Sequence, residues 1–138
     1  MARYLVYLAH PYGKSEWNRN DSIKIECGIK EMMNDDDVEI LNPLNDEKIA
    51  KVANDYKDDE EMVVAYCGGV VSACHMVVFC PGWKKSKGCQ HEHKIAKRYG
   101  VPRIYLSRHE ADIFREAYLM QEIAKQQKTM AKEEADVA

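Results

Sequence analysis

Four short apolar runs, each too short for a helix and separated by helical patterning, set the frame for this chain. They are Tyr4–Ala9, Val38–Leu41, Met76–Cys80 and Arg103–Leu106. The first is apolar at almost every position, as expected of a central parallel strand buried on both faces. The residues from Met1 enter this strand pattern directly. His10-Pro11-Tyr12-Gly13 breaks the first run, Asn42-Pro43 stops the second, and Pro81-Gly82 ends the third. Between the runs lie helical stripes: Ile25, Ile29, Met32 and Met33 within Glu16–Met33, then Met62, Val63, Tyr66, Val70 and Val71 within Asp58–Ala73. A short helical stretch around Ile49, Val52 and Ala53 interrupts the polar segment before Asp58. A helix over Gly88–Tyr99 ends on Gly100 and Pro102, signals of a C-terminus. Ser107 and Glu110 have capping-box spacing and open a last helix, striped by Ile113, Ala117, Met120 and Ile123. Strand–helix alternation of this kind predicts an α/β fold, a parallel sheet of four to five strands with helices on both faces.

The expected domain spans residues 1–126, and residues 127–138 read as a frayed or disordered tail of small and charged residues. No linker or internal repeat divides the chain. A formal net charge of -3 gives no polyelectrolyte signal for a nucleic-acid polymer. No apolar run approaches the roughly 20 residues that span a bilayer, nor is the N-terminal run long enough for a signal peptide. The expectation is a cytoplasmic protein with no membrane partner. Five cysteines without a Cys-x-x-Cys pair are read as reduced and mostly buried. Cys89 and His93 share a helix face, but no second ligand pair is spaced to complete a metal site. Asp35, Asp36 and Asp37 are read as a solvated connection. Gly68-Gly69 inside a helix suggests close packing or a kink.

Three loops converge at the carboxyl edge of the predicted sheet, where open α/β sheets bind their ligands. They are His10–Ser15, Asn42–Asp46 and Pro81–Glu92. With the strand and helix beside them they offer Tyr7, His10, Tyr12, Asn18, Asn42, Trp83, Ser86, Gly88 and Glu92. Ser86 and the N–H groups around Gly88 suit an anion at a helix N-terminus, and Ser86 equally suits a plain helix cap. Trp83 is a platform for a planar base or a packing residue. Glu92 is a carboxylate able to act as nucleophile or to stabilise a sugar cation; it equally complements the helix dipole. His75, between an apolar helix and an apolar strand, reads as a satisfied buried histidine. Neither a dinucleotide glycine pattern nor a P-loop occurs.

The segment Pro-Gly-Trp-x-x-Ser-x-Gly-x-x-x-Glu, Pro81 to Glu92, resembles the nucleoside 2-deoxyribosyltransferase-like superfamily, in a branch common in phages and bacteria. Tyr7-Leu-Ala-His-Pro-Tyr12, Asn18-Arg19 and Asn42-Pro43 add weaker matches, and the likeness covers about residues 4–106. The resemblance implies a Rossmann-like (flavodoxin-like) fold acting on the N-glycosidic bond of nucleosides or nucleotides. It implies Glu92 as the nucleophile, Tyr7 beside the sugar and Ser86 near a 5′-phosphate. The substrate-binding set is then His10, Tyr12, Asn18, Asn42, Trp83, Ser86 and Gly88. No metal or organic cofactor is required, and a homodimer or higher homo-oligomer is implied. One departure stands out. Two aspartates usual in active members, one of which assists departure of the base, fall at Cys67 and His75 here. Asp58, Asp59, Glu60 and Glu61 lie too early on the helix to replace them. Three readings follow: an N-glycosidase or deoxyribosyltransferase, a catalytically weak nucleotide-binding protein, and an interaction domain with a vestigial site.

Overall fold

The computed structural model describes residues 4–12, 15–34 and 36–137. The expectations for residues 1–3, for Gly13 in the first loop and for Asp35 lie outside that range. Asp36 and Asp37 form an exposed turn. The element order is β1 (Tyr4–Ala9), α1 (Glu16–Met33), β2 (Val38–Leu41), α2 (Glu47–Asp55), α3 (Glu60–Ser72), β3 (Met76–Phe79), α4 (Lys87–Arg98), β4 (Arg103–Tyr105) and α5 (Arg108–Val137). Short 3-10 turns, Pro43–Asn45 and Trp83–Lys85, precede α2 and α4.

All four strands pair in parallel, in the order β2-β1-β3-β4. The predicted α/β sheet is therefore present with four strands among the described residues. Successive side chains of a strand point to opposite faces, and β1 divides accordingly. Val6 and Leu8 join Ile25 and Ile29 of α1 and Ala111 of α5 in one core. Tyr7 and Ala9 join Val71 of α3 and Cys89 and Ala96 of α4 in the other. A central strand that must be apolar on both sides explains the unbroken run in the sequence.

Helix ends follow local chemistry. Ser15 caps α1 by accepting the N–H of Trp17 at 3.2 Å, and Asn34 closes that helix in the left-handed region at φ 45°. Past α4, Val101 N–H bonds Ala96 O at 2.9 Å and Gly100 N–H bonds Lys97 O at 3.4 Å. That pairing is the Schellman pattern, with Gly100 at φ 65° taking the left-handed position. Ser107 and Glu110 form the predicted reciprocal box, at 3.0 and 3.1 Å.

Two expectations differ from the structure. His75 is satisfied but exposed: its Nδ1 accepts the Leu5 N–H at 2.9 Å, and its ring stacks on Tyr4 at 5.0 Å. It stands at the amino end of β3, where the sheet meets solvent, so the apolar flanks in sequence do not bury it. The stretch expected to fray is helical, since α5 continues to Val137 with residues 123–136 exposed. The paired glycines divide in role. A Cβ on Gly68 would meet His91 Nε2 at 2.8 Å, so α3 and α4 pack closely there, whereas Gly69 faces open space.

Candidate active site

The chain leaves β1, crosses to β2 on one side, and returns to β3 on the other, which makes the carboxyl ends of β1 and β3 the topological switch point. Glu92, in the second turn of α4, turns its carboxylate into this position and is fully buried. Its Oε2 accepts the Tyr12 hydroxyl at 2.5 Å. Its Oε1 is buried with no hydrogen-bond partner among the described residues. Tyr12 in turn lies 3.2 Å from the hydroxyl of Tyr7, which is fully buried in β1. Tyr12 has only one hydroxyl proton and gives it to Glu92. Tyr7 is therefore the donor of the second bond, and a relay runs from Tyr7 through Tyr12 to the carboxylate.

The environment sets the protonation of this group. Burial raises Glu92 from 4.5 to about 7, even though the hydrogen bond from Tyr12, backed by the Tyr7 hydroxyl, favours the charged form and pulls the other way. Burial first pushes both tyrosines well above the usual phenol value; Tyr12 and Glu92 add to the rise at Tyr7, and Glu92 adds to it at Tyr12, where the hydrogen bond from Tyr7 pulls the other way. Both tyrosines are thus held as neutral donors. Cys67 of α3 is buried beside them, within reach of both hydroxyls, and burial with the Glu92 charge raises its thiol to about 11. Near neutral pH Glu92 is the member of the cluster poised to exchange a proton.

Glycine makes this arrangement possible. A Cβ on Gly88 would fall 2.3 Å from Cε2 of Tyr12, so the ring lies directly on the first turn of α4. Gly82, at φ 89°, turns the loop after β3 and comes within 3.4 Å of Pro11 Cγ for an added Cβ. The spacing from Gly88 to Glu92 is one helical turn, so a single face of α4 both seats the tyrosine and presents the carboxylate.

The other residues of the predicted set divide. Ser86 stands at the mouth of α4 and accepts the N–H of Cys89 at 3.3 Å, so the capping role is filled. Asn18 donates to the Tyr12 carbonyl at 3.2 Å and supports the tyrosine from behind. Asn42 is buried; it accepts from Leu44 N–H and donates to Ser22 Oγ, both at 3.0 Å, which spends its amide inside the fold. Trp83 joins Phe79, His93 and Tyr105 in an aromatic group with centroids 4.5 to 5.7 Å apart. Within that group His93 bonds the Tyr105 hydroxyl at 2.7 Å, while Cys89 is buried in the core, its thiol raised to about 12 by burial and the Glu92 charge. His10 points to the α1/α5 side. Its Nε2 lies 2.8 Å from Asp21, which also holds Arg115 in a two-pronged bond at 2.7 and 2.8 Å. Burial of Asp21 would raise its pKa, but Arg115 and His10 outweigh that and hold it low. His10, Asn18, Asp21, Arg108 and Arg115 line a cleft of about 290 Å³ on that side of the loop. Asp21 and Arg115 escaped the sequence reading. The available signal was an aspartate four residues before Ile25 on the buried stripe of α1.

A parallel α/β domain with a buried, half-satisfied carboxylate at its switch point is the class these features define. The chain belongs to the DUF4406 family, a domain of unknown function, whose model matches residues 31–105, more than half of the 138 residues. No curated protein and no solved structure matches it. Among the described residues, no helix is long and apolar enough to cross a membrane.

Proposed function

We propose that this protein acts on the N-glycosidic bond of a small nucleoside or nucleotide, with Glu92 as nucleophile. The observation that carries the proposal is the Glu92 carboxylate itself: fully buried, with one oxygen held by Tyr12 and the other without a partner. A carboxylate raised to about 7 remains ionised in a large share of molecules at neutral pH. Its placement at the switch point supports ligand contact. The likeness of Pro81–Glu92 to the nucleoside 2-deoxyribosyltransferase-like superfamily supports the same chemistry.

In this scheme Tyr12 leaves its seat on Gly88 and exposes Glu92 to the sugar. A Glu92 oxygen forms a bond to the anomeric carbon as the carbon–nitrogen bond breaks, and the base departs with that electron pair and takes a proton from solvent. Water, or a second base, then attacks the anomeric carbon and releases Glu92. Before that movement Tyr12, held by Tyr7, orients the carboxylate. Exposed Lys84, Lys85 and Lys87 surround the start of α4 beside Ser86, a setting suited to a 5′-phosphate.

A second reading is favoured by a specific observation. Cys67, rather than an aspartate, stands beside Glu92, and a thiol raised to about 11 is a poor proton donor to a leaving base. On that reading the site holds a nucleotide without cleaving it, as a sensor or a sequestering protein would. The test is incubation of wild type and Glu92→Gln with ribo- and deoxyribonucleosides and their 5′-monophosphates, with and without an acceptor base, followed by chromatography. Free base with wild type alone supports cleavage, and base exchange marks a transferase. Intact nucleotides that nevertheless bind support the second reading.

A further inference from the structure

Beside the Tyr12–Glu92 cluster lies a second cleft of about 430 Å³, between β2, the start of α2 and α3. Leu41, Ile49 and Val70 give it apolar walls, and the Tyr66 ring, 38% exposed, stands on the α3 side. Glu39, Asp46 and Glu47 supply three carboxylates against the single cation of Lys48.

The cleft adjoins the carboxylate site. Leu41 is the register partner of Tyr7, so both side chains lie on the same face of the sheet. Leu41 and Val70 both pack against the core that contains Tyr7 and Cys89. Cys67, one turn before Val70, feels the charge of both Glu92 and Asp46. Along the sheet edge the order is therefore the acidic cleft, then Tyr7 and Tyr12, then the lysine-rich start of α4. A nucleotide laid across this edge meets opposite fields at its two ends. Its phosphate is repelled by the cleft and attracted to the lysines, which leaves the cleft for the base.

We propose that this cleft receives the base, and that Asp46 selects bases bearing an exocyclic amino group. The proposal rests on the nucleotide reading above. Asp46 Oδ1 caps α2 by accepting the Ile49 N–H at 3.0 Å. Its Oδ2 has no hydrogen-bond partner among the described residues, and an ionised carboxylate accepts hydrogen bonds without donating any. Adenine, cytosine and guanine offer an amino N–H to such an acceptor. Uracil, thymine and hypoxanthine have no amino group to offer. Tyr66 provides a stacking face for either group of bases.

The test is calorimetric titration of Glu92→Gln, which holds substrate without turning it over, with AMP, CMP, GMP, UMP and IMP. Base release by wild type on the same compounds is measured in parallel. Amino-bearing nucleotides are expected to bind about tenfold more tightly than UMP and IMP. Adding Asp46→Asn keeps a good helix cap but replaces the acceptor by an amide that also donates. It should abolish that preference or reverse it. Adding Tyr66→Ala should weaken all five nucleotides together and leave the preference in place. Equal binding of all five, or a preference that survives Asp46→Asn, overturns this inference while the nucleotide reading stands. Absence of both binding and base release overturns the two together.

Discussion

A buried carboxylate that titrates near neutrality has consequences for stability as well as chemistry. In the unfolded chain Glu92 returns to its ordinary value of 4.5, against about 7 in the fold. Between those values the folded state binds the extra proton, so stability falls as pH rises from about 4.5 to 7. The full penalty, on the order of 3 kcal/mol, is in place above that window and absent below it. Glu92→Gln keeps a hydrogen-bonding group of similar size and removes the titration. Its stability relative to wild type, from urea unfolding at pH 5 and at pH 8, should therefore increase on going to the higher pH. The gain should approach that same few kcal/mol, with base release lost. An unchanged difference between the two pH values would mean that Glu92 is not buried as a charge. A site that stabilises the protein when disarmed is the expected mark of a group retained for function.

At the scale of elements, three glycines give graded predictions. Gly28 of α1 faces the backbone of α5, and an added Cβ would lie 2.0 Å from the Phe114 carbonyl oxygen. No rotamer relieves a backbone clash, so Gly28→Ala should separate the two helices and cost about 1–3 kcal/mol or more. Gly88→Ala meets a side chain, the Tyr12 ring, which can rotate away. Its cost should be smaller, and its signature should be loss of the Tyr12–Glu92 bond, read as a changed Tyr fluorescence or NMR shift. Gly69→Ala meets nothing within 4 Å at the start of the last turn of α3 and should stabilise by about 0.5–1 kcal/mol. Thermal melts of the three variants rank them. These elements were largely legible in the sequence, because strand and helix periodicities and cap residues are local. The reading of Glu16–Met33, Val38–Leu41 and the Ser107–Glu110 box needed no partner from elsewhere in the chain. Glu92 was found from the loop motif, but its contact with Tyr12, 80 residues away, was not. Asp21 and Arg115 meet across 94 residues and were missed for the same reason. Periodicity assigns a residue to a face; it does not say what lies opposite.

For the molecule as a whole, that missed pair joins the two ends of the fold. Arg115 reaches from α5 to Asp21 on α1, and Asp21 bonds His10 at the exit of β1, two residues before Tyr12. His10 also bonds the Pro11 carbonyl at 3.0 Å. The loop that covers Glu92 on one face of the sheet is thus anchored by a buried ion pair on the other. Asp21 is held low by its partners, so its contribution is present above the ordinary carboxylate range and lost as pH falls through its lowered value. Arg115→Ala strands a carboxylate that is only 6% exposed and should cost about 3 kcal/mol at pH 7, the low end for a broken buried pair because Arg115 itself is 30% exposed. Lysine should not restore it, since a single ammonium cannot reproduce the two-pronged bond. By contrast, α5 beyond residue 126 is exposed along its described length, and a chain ending there should unfold within about 0.5 kcal/mol of the full one. Urea titration of the three forms decides the matter. If truncation costs as much as Arg115→Ala, the end of α5 is buried in solution against something other than this chain's own sheet. If neither change matters, the ion pair is not what fixes the loop over Glu92.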